Sequence, residues 1–177
     1  KKNERICFTA PVSGEIAEVV RGDRRAILEV KILADSKVSF KSFDTSGYET
    51  KSADEVKELL LTSGLWPFIV QRPFGVLADP SVTPKAIHVS GFDSAPLAAD
   101  VSITLKGEEA NIKAGFEVLK KLTSGKVHLN LHSAKDSSVY AAVEGVERND
   151  FSGPHPSGLV GVQINKIDPI NKGEVVW

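Results

Sequence analysis

Hydrophobic and polar positions alternate in short runs at the start of the chain and recur at helical spacing further on. Over residues 1–34, Ile6–Ala10 leads into a turn at Pro11-Val12-Ser13-Gly14, and Glu15–Val20 runs to a second turn at Arg21-Gly22-Asp23. Ala26–Ile32 then alternates as a half-buried strand does, so this region is expected to be β. Residues 35–53 are polar and read as a connector, pinned by Phe40 and Phe43. A helix is expected next, capped by Ser52 or Asp54, carrying Glu55 and Glu58 early, with Val56, Leu59 and Leu60 on one face and Gly64 at its end. Residues 75–84 read as loop, Lys85–Asp93 as a short apolar strand, and 107–124 as a helix. That helix has Ile112, Phe116, Leu119 and Leu122 as its inner stripe and Gly125 as its close. Lys126–His132 is the next strand.

This order implies an α/β fold with a small β-rich, barrel- or sandwich-like N-terminal piece. Strand, helix and strand from about 85 to 150 make a right-handed parallel βαβ unit, a Rossmann-like core without the G-x-G-x-x-G fingerprint. The expected domains are a β region over 1–40, a connector with one helix over 41–84, and an α/β domain over 85–177. Ala10-Pro11-Val12-Ser13-Gly14 with Ile16 resembles the second half of a biotinyl/lipoyl-type domain. No lysine sits at a hairpin tip, so the carrier function of such domains is not expected.

Composition narrows the function classes. Net charge is −1, with no basic field for nucleic acid or acidic lipid. One cysteine, Cys7, permits no intrachain disulfide, fits a reducing compartment, and cannot ligate an iron–sulfur cluster. No apolar run reaches the ~20 residues of a membrane span. Methionine is absent and the chain stops in the strand-like Glu174–Trp177, which together read as an internal fragment.

Candidate chemistry concentrates in two stretches. Gly153–Gly161 holds three glycines and two prolines around His155. Pro154 and Pro156 stiffen the backbone beside His155, and Pro156 is expected to open a helix that Gly158 and Gly161 leave bare on one face. A glycine-rich turn entering a helix can receive an anion or cofactor phosphate, and it can equally be a tight interdomain turn. The second stretch, Gly64–Phe74, is rich in aromatics and carries Arg72, which is either an anion or carbonyl clamp or a cation stacked on Trp66 or Phe74. Asp93 follows the C-terminal end of a strand, where open α/β sheets place ligands. His128 and His132 lie about 13 Å apart along one strand, too far to share a metal, and no cysteine or acidic cluster accompanies His155. The serine-hydrolase motif G-x-S-x-G is missing too.

Ser63-Gly64-Leu65-Trp66, Arg72-Pro73-Phe74, Asp93 with Pro96-Leu97-Ala98-Ala99-Asp100, and Gly153-Pro154-His155-Pro156-Ser157-Gly158-Leu159 occur in this order. In that order and spacing the chain resembles, over essentially its whole length, the NqrA family, one of the subunits of the bacterial sodium-translocating NADH:quinone oxidoreductase. Arg72, Phe74, Asp93, Gly153, His155, Pro156 and Gly158 match the family pattern. Two positions depart from it. Val162-Gln163-Ile164-Asn165 replaces a histidine-rich continuation and Ser152 replaces a glycine, so no role of the extra histidines carries over. The resemblance implies a peripheral subunit on the cytoplasmic face of the bacterial inner membrane, docked to other subunits, especially an integral membrane one. It implies a fold like the flavin- and NADH-binding subunit of complex I, with no redox cofactor of its own. NADH, FAD, FMN and the iron–sulfur cluster are then expected on other subunits, and ubiquinone as a substrate that this subunit contacts. Under that expectation Trp66, Arg72, Phe74, Asp93, Gly153, His155, Pro156, Gly158 and Gly161 are the candidate quinone or partner contacts. The competing readings are a redox subunit that binds flavin or NADH, and a purely structural module.

Overall fold

The computed structural model describes residues 3–177, so the first two residues of the expected β region lie outside it. Two strands, β1 (Gly14–Arg21) and β2 (Ile27–Ala34), pair antiparallel with Glu15 opposite Leu33. Ile6–Ala10 is not a strand, and among the described residues the N-terminal region contains this one hairpin rather than several strands. Ile16, Leu28 and Leu33 stay exposed on it. Isolated two-stranded ribbons bury too little to form a core, and this one follows that rule.

Helix α1 (Ala53–Thr62) starts where its cap dictates. The Ser52 hydroxyl accepts the Glu55 N–H while the Glu55 carboxylate accepts the Ser52 N–H, a reciprocal capping box. Val56 and Leu61 are buried, with Leu60 partly so. Trp66 follows in a single 3-10 turn, its indole N–H donating to Ala78 O at 2.8 Å. A minimal hairpin, β3 (Val70–Gln71) with β4 (Val76–Leu77), carries Arg72–Gly75 at its tip.

The central sheet is parallel, with order β5 (Ala86–Ser90), β6 (Lys126–His132) and β7 (Glu147–Phe151). The first two strands agree with the hydrophobic pattern. The third does not announce itself, because Glu-Arg-Asn-Asp-Phe holds one apolar residue. At the other edge of β5, Trp177 donates to Ala86 O and accepts from His88 N, and Val175 O accepts from Lys85 N. The short α2 (Val101–Thr104), capped by Asp100, and α3 (Glu109–Lys120) connect β5 to β6. One core joins α1, Trp66, α3 and the sheet through Leu61, Phe116, Leu122, Leu129 and Tyr140.

Two sequence expectations about glycine and proline need correction. Helix α3 ends at Lys120, well before Gly125. A Cβ on Gly125 would lie 1.8 Å from Lys85 O, so this glycine lets the start of β6 press against the start of β5. Pro156 does not open a helix, since α4 (Val160–Ile167) begins four residues later, after a non-helical Leu159. Ser157 closes the turn on itself instead, its N–H donating to Pro154 O and its Oγ to Gly153 O.

Candidate functional site

Strand β5 ends at Ser90 and continues through Gly91, Phe92 and Asp93, with the 153–161 turn lying against this end. Ser90 Oγ donates to Phe92 O at 2.9 Å and lies 3.3 Å from Gly158 O. Ser94 joins both segments from above, its Oγ accepting the Gly158 N–H at 2.8 Å and meeting His155 Nδ1 at 3.1 Å. This closeness explains Gly158, where an added Cβ would fall 2.5 Å from Ser94 N. Asp93 is held at both ends, its carboxylate accepting from Ala95 N–H in its own loop and its carbonyl from Lys135 Nζ in the loop after β6.

Between these pieces lies a cleft of about 540 Å³, lined by Arg72, Ser90, Phe92, Asp93 and the run Gly158–Val162. Arg72 also lines two adjoining hollows, one of about 220 Å³ against Pro73, Gly161 and Ile164, and one of about 350 Å³ against Ile87, His88 and Trp177. Its backbone N–H donates to Val176 O, which fixes the arginine over the β5 edge. Its guanidinium stacks on neither Trp66 nor Phe74; the cation–π contact among the described residues pairs Lys41 with Phe43.

The fold therefore gathers Arg72, Asp93, Gly158 and Gly161 from three distant stretches. His155 is exposed on the outer side of the turn, and Gly153 and Pro156 build that turn without lining the cleft. Phe74, 84% exposed, stands at the hairpin tip away from the cleft. Trp66, at 0% exposure, is a core residue and offers no stacking surface.

A buried polar chain lies beneath the cleft. Gln163 on α4 accepts from Asn130 Nδ2 at 3.1 Å, and its amide lies 3.0 Å from Ser90 Oγ and 3.3 Å from Ser157 O. Asn149 on β7 donates to Asn130 Oδ1 and meets His128 Nδ1 at 3.3 Å. A hydrogen-bonded network of this kind favours one arrangement of its members, here the sheet and the 153–161 turn. His128 stacks on His88 with ring centroids 4.5 Å apart. Burial, and then the neighbouring His128, push His88 down to about 4, so it is neutral at physiological pH. His132 instead meets the edge of Phe92. No group of three or more metal-ligating side chains is found among the described residues. Gln163 had a sequence signal, a lone polar residue in Leu159–Ile164, whereas Ser90, Ser94 and Trp177 had none. No helix among the described residues is long and apolar enough to cross a membrane.

Comparison with known proteins completes this picture. Residues 51–177 match the family model of the NqrA second alpha/beta domain, and residues 1–35 match the NqrA N-terminal barrel-sandwich hybrid domain. The NqrA subunit of the Na(+)-translocating NADH-quinone reductase from Yersinia pseudotuberculosis serotype O:1b is 38% identical over 179 residues, covering 100% of this chain. The same subunit from Actinobacillus pleuropneumoniae serotype 5b is 36% identical over 181 residues, and that from Photorhabdus laumondii 35% over 179. The chain spans 40% of the length of these relatives. A mixed α/β chain that matches both domain models in order, and aligns with these relatives along its whole length, belongs to the NqrA family.

Proposed function

We propose that this chain is the part of a peripheral, cytoplasmic-face subunit that contacts the quinone of a sodium-pumping NADH:quinone oxidoreductase, without a redox cofactor of its own. NADH, FAD, FMN and the iron–sulfur cluster then reside on other subunits, and an integral membrane subunit is the docking partner. The observation that carries this reading is the gathering of Arg72, Asp93, Gly158 and Gly161 around one cleft of about 540 Å³. A flat headgroup with carbonyl oxygens needs a slot that a backbone can approach closely and a donor at its mouth. Gly158, Gly161 and Phe92 supply the slot, and Arg72 the donor.

A Rossmann-like architecture is part of the same proposal, as is the division of the chain at residues 40 and 84. Outward from β5, β6 and β7 lie on one side and the Val175–Trp177 backbone on the other, which supports a 3-2-1-4 strand order with its reversal at β5. Open α/β sheets bind ligands at that reversal, outside the carboxyl ends of the strands, and the cleft lies there.

Docking is the second reading, favoured by exposed Phe68, before the minimal hairpin, and Phe74 and Val76 on it. Arg72→Ala and His155→Ala in the assembled complex separate the two. The quinone reading expects Arg72→Ala to slow quinone reduction at least tenfold with assembly intact, while His155→Ala, outside the cleft, changes it little. Failed assembly with intact folding of the subunit favours docking. Unchanged reduction and assembly in both variants refutes both readings.

A further inference from the structure

We propose that the hollow of about 350 Å³ behind Arg72 is the seat of one more strand, formed by the residues that follow Trp177 in the full-length protein. The hollow is a gap between two strand edges. Val70 and Arg72 of the β3–β4 hairpin line one side, residues 87–90 of β5 the other, and Trp177 borders both. Residues 175–177 already enter this gap and bond on each side. Towards β5, Val175 O accepts from Lys85 N–H at 2.7 Å, Trp177 N–H donates to Ala86 O at 3.1 Å, and Trp177 O accepts from His88 N–H at 2.7 Å. Towards the hairpin, Val176 O accepts from Arg72 N–H at 2.9 Å, in an antiparallel bridge.

The alternation of the ladders fixes what the next residues would meet. In β5, Ala86 and His88 face the gap, and so do His88 C=O and Ser90 N–H, whereas Gly91 N–H turns to β6 and bonds to Asn130 O. In the hairpin, Ile69 O accepts from Ala78 N–H, so Ile69 and Gln71 face β4 while Val70 faces the gap with Arg72. No partner for His88 C=O, Ser90 N–H or the Val70 backbone is found among the described residues. Backbone groups left open inside a fold are costly, and two more extended residues would close all of them. The first residue after Trp177 lies opposite Val70 and takes both its N–H and its C=O. The second, one step of about 3.3 Å further on, donates to His88 O and accepts from Ser90 N–H. The chain to do this is at hand. This sequence spans 40% of its relatives and matches the models of their N-terminal and second domains, so most of the additional length follows the position of Trp177. A peptide from a partner would instead have to enter a gap that residues 175–177 already begin to fill.

The new strand would join the hairpin to the central sheet, in the order β4, β3, new strand, β5, β6, β7. It runs parallel to β5, so it ends beside Ser90, which also lines the cleft of about 540 Å³, and the loop after it borders that cleft. The inference rests on the strand order proposed above and not on quinone contact.

Hydrogen–deuterium exchange of the full-length subunit, resolved to single residues, tests it without quinone. His88 N–H and Gly91 N–H, bonded to Trp177 O and Asn130 O at 2.7 and 2.8 Å, are the internal references. Ser90 N–H is expected to exchange as slowly as these two, on the order of a hundredfold slower than an open amide. Proline in place of the second residue after Trp177 removes the donor to His88 O and should speed Ser90 roughly tenfold or more, with Gly91 unchanged. If that variant does not fold, two glycines in place of the first two residues weaken the same pairing more mildly and should speed Ser90 about threefold. Gly161→Cys, whose Cβ meets nothing within 4 Å, and a cysteine at the fourth residue after Trp177 should be joined by a short bifunctional maleimide. Fast exchange at Ser90 beside slow His88 and Gly91 overturns the strand. Fast exchange at His88 as well overturns both the strand and the order it rests on. Slow exchange at Ser90 that a folded variant leaves unchanged places another chain in the gap and overturns the assignment to this segment. Two reactive thiols that are never joined overturn the placement of the loop. Quinone reduction enters none of these readouts, so this inference and the quinone reading can fail separately.

Discussion

Acidification should destabilise this fold between pH 6.5 and 4 through His88. An ordinary histidine takes up its proton near 6.5, whereas burial and the stacked His128 push His88 down to about 4. Asp168 opposes that shift and Lys85 adds to it, each less than burial does. As pH falls through this window the unfolded chain binds the proton first, so the folded state loses ground. Above 6.5 the group has no effect on stability, and below about 4 the loss is complete. At 1.36 kcal/mol per pH unit the full loss is about 3 kcal/mol, most of it reached by pH 4.5. Burial also lowers His128, which adds in the same direction. Carboxylates held low by hydrogen bonds from serines, such as Asp79, Asp100 and Asp136, work outside this window. Their stabilisation is present above about 4 and disappears only below it. Urea unfolding followed by tryptophan fluorescence measures the effect. With a slope of roughly 2 kcal/mol per molar, the midpoint should drop by roughly 1 M from about pH 7.5 to about pH 4.5. His88→Phe keeps a ring against His128, removes two unpartnered nitrogens, and should cut that drop to the part His128 supplies. If variant and parent lose the same midpoint over this range, His88 is not held neutral by burial and the argument fails.

The glycines of the turn should separate by backbone crowding. Gly158→Ala forces a Cβ to 2.5 Å from Ser94 N and is expected to cost about 1–3 kcal/mol, read as a lowered Tm. Gly161→Ala meets nothing within 4 Å in the first turn of α4 and should be neutral or stabilising by up to about 1 kcal/mol in the same assay. Gln163→Leu strands Asn130 Nδ2 in the core and should cost about 1–3 kcal/mol by urea unfolding. It should also loosen the 153–161 turn, seen as faster amide exchange at Ser157 and Gly158.

Elements whose signals lie within a few neighbouring residues were legible before any fold was known. Ser52 with Glu55 three residues on fixed the start of α1, and apolar spacing fixed α3, because both depend on neighbours within one helical turn. Short runs rich in Ala, Ile, Val and Leu, Ala86–Ser90 and Val127–Leu131, marked two strands buried by the core. The family resemblance was also legible, since it rests on short motifs in order. The other features arise only from contacts between distant segments. Strand β7 lacks an apolar run, and its place comes from backbone pairing with β6 and from Asn149 reaching Asn130. Trp66 and Arg72 sit six residues apart in one aromatic stretch, yet one became core and the other the hub of three hollows. Periodicity could not separate them, because the difference is made by Ala78 accepting the indole N–H and by Val176 holding the Arg72 backbone. Gly158 and Gly125 look like ordinary turn residues in sequence. Their need for a bare Cα arises from Ser94 and Lys85, which lie 64 and 40 positions away along the chain and become neighbours only when the sheet is assembled.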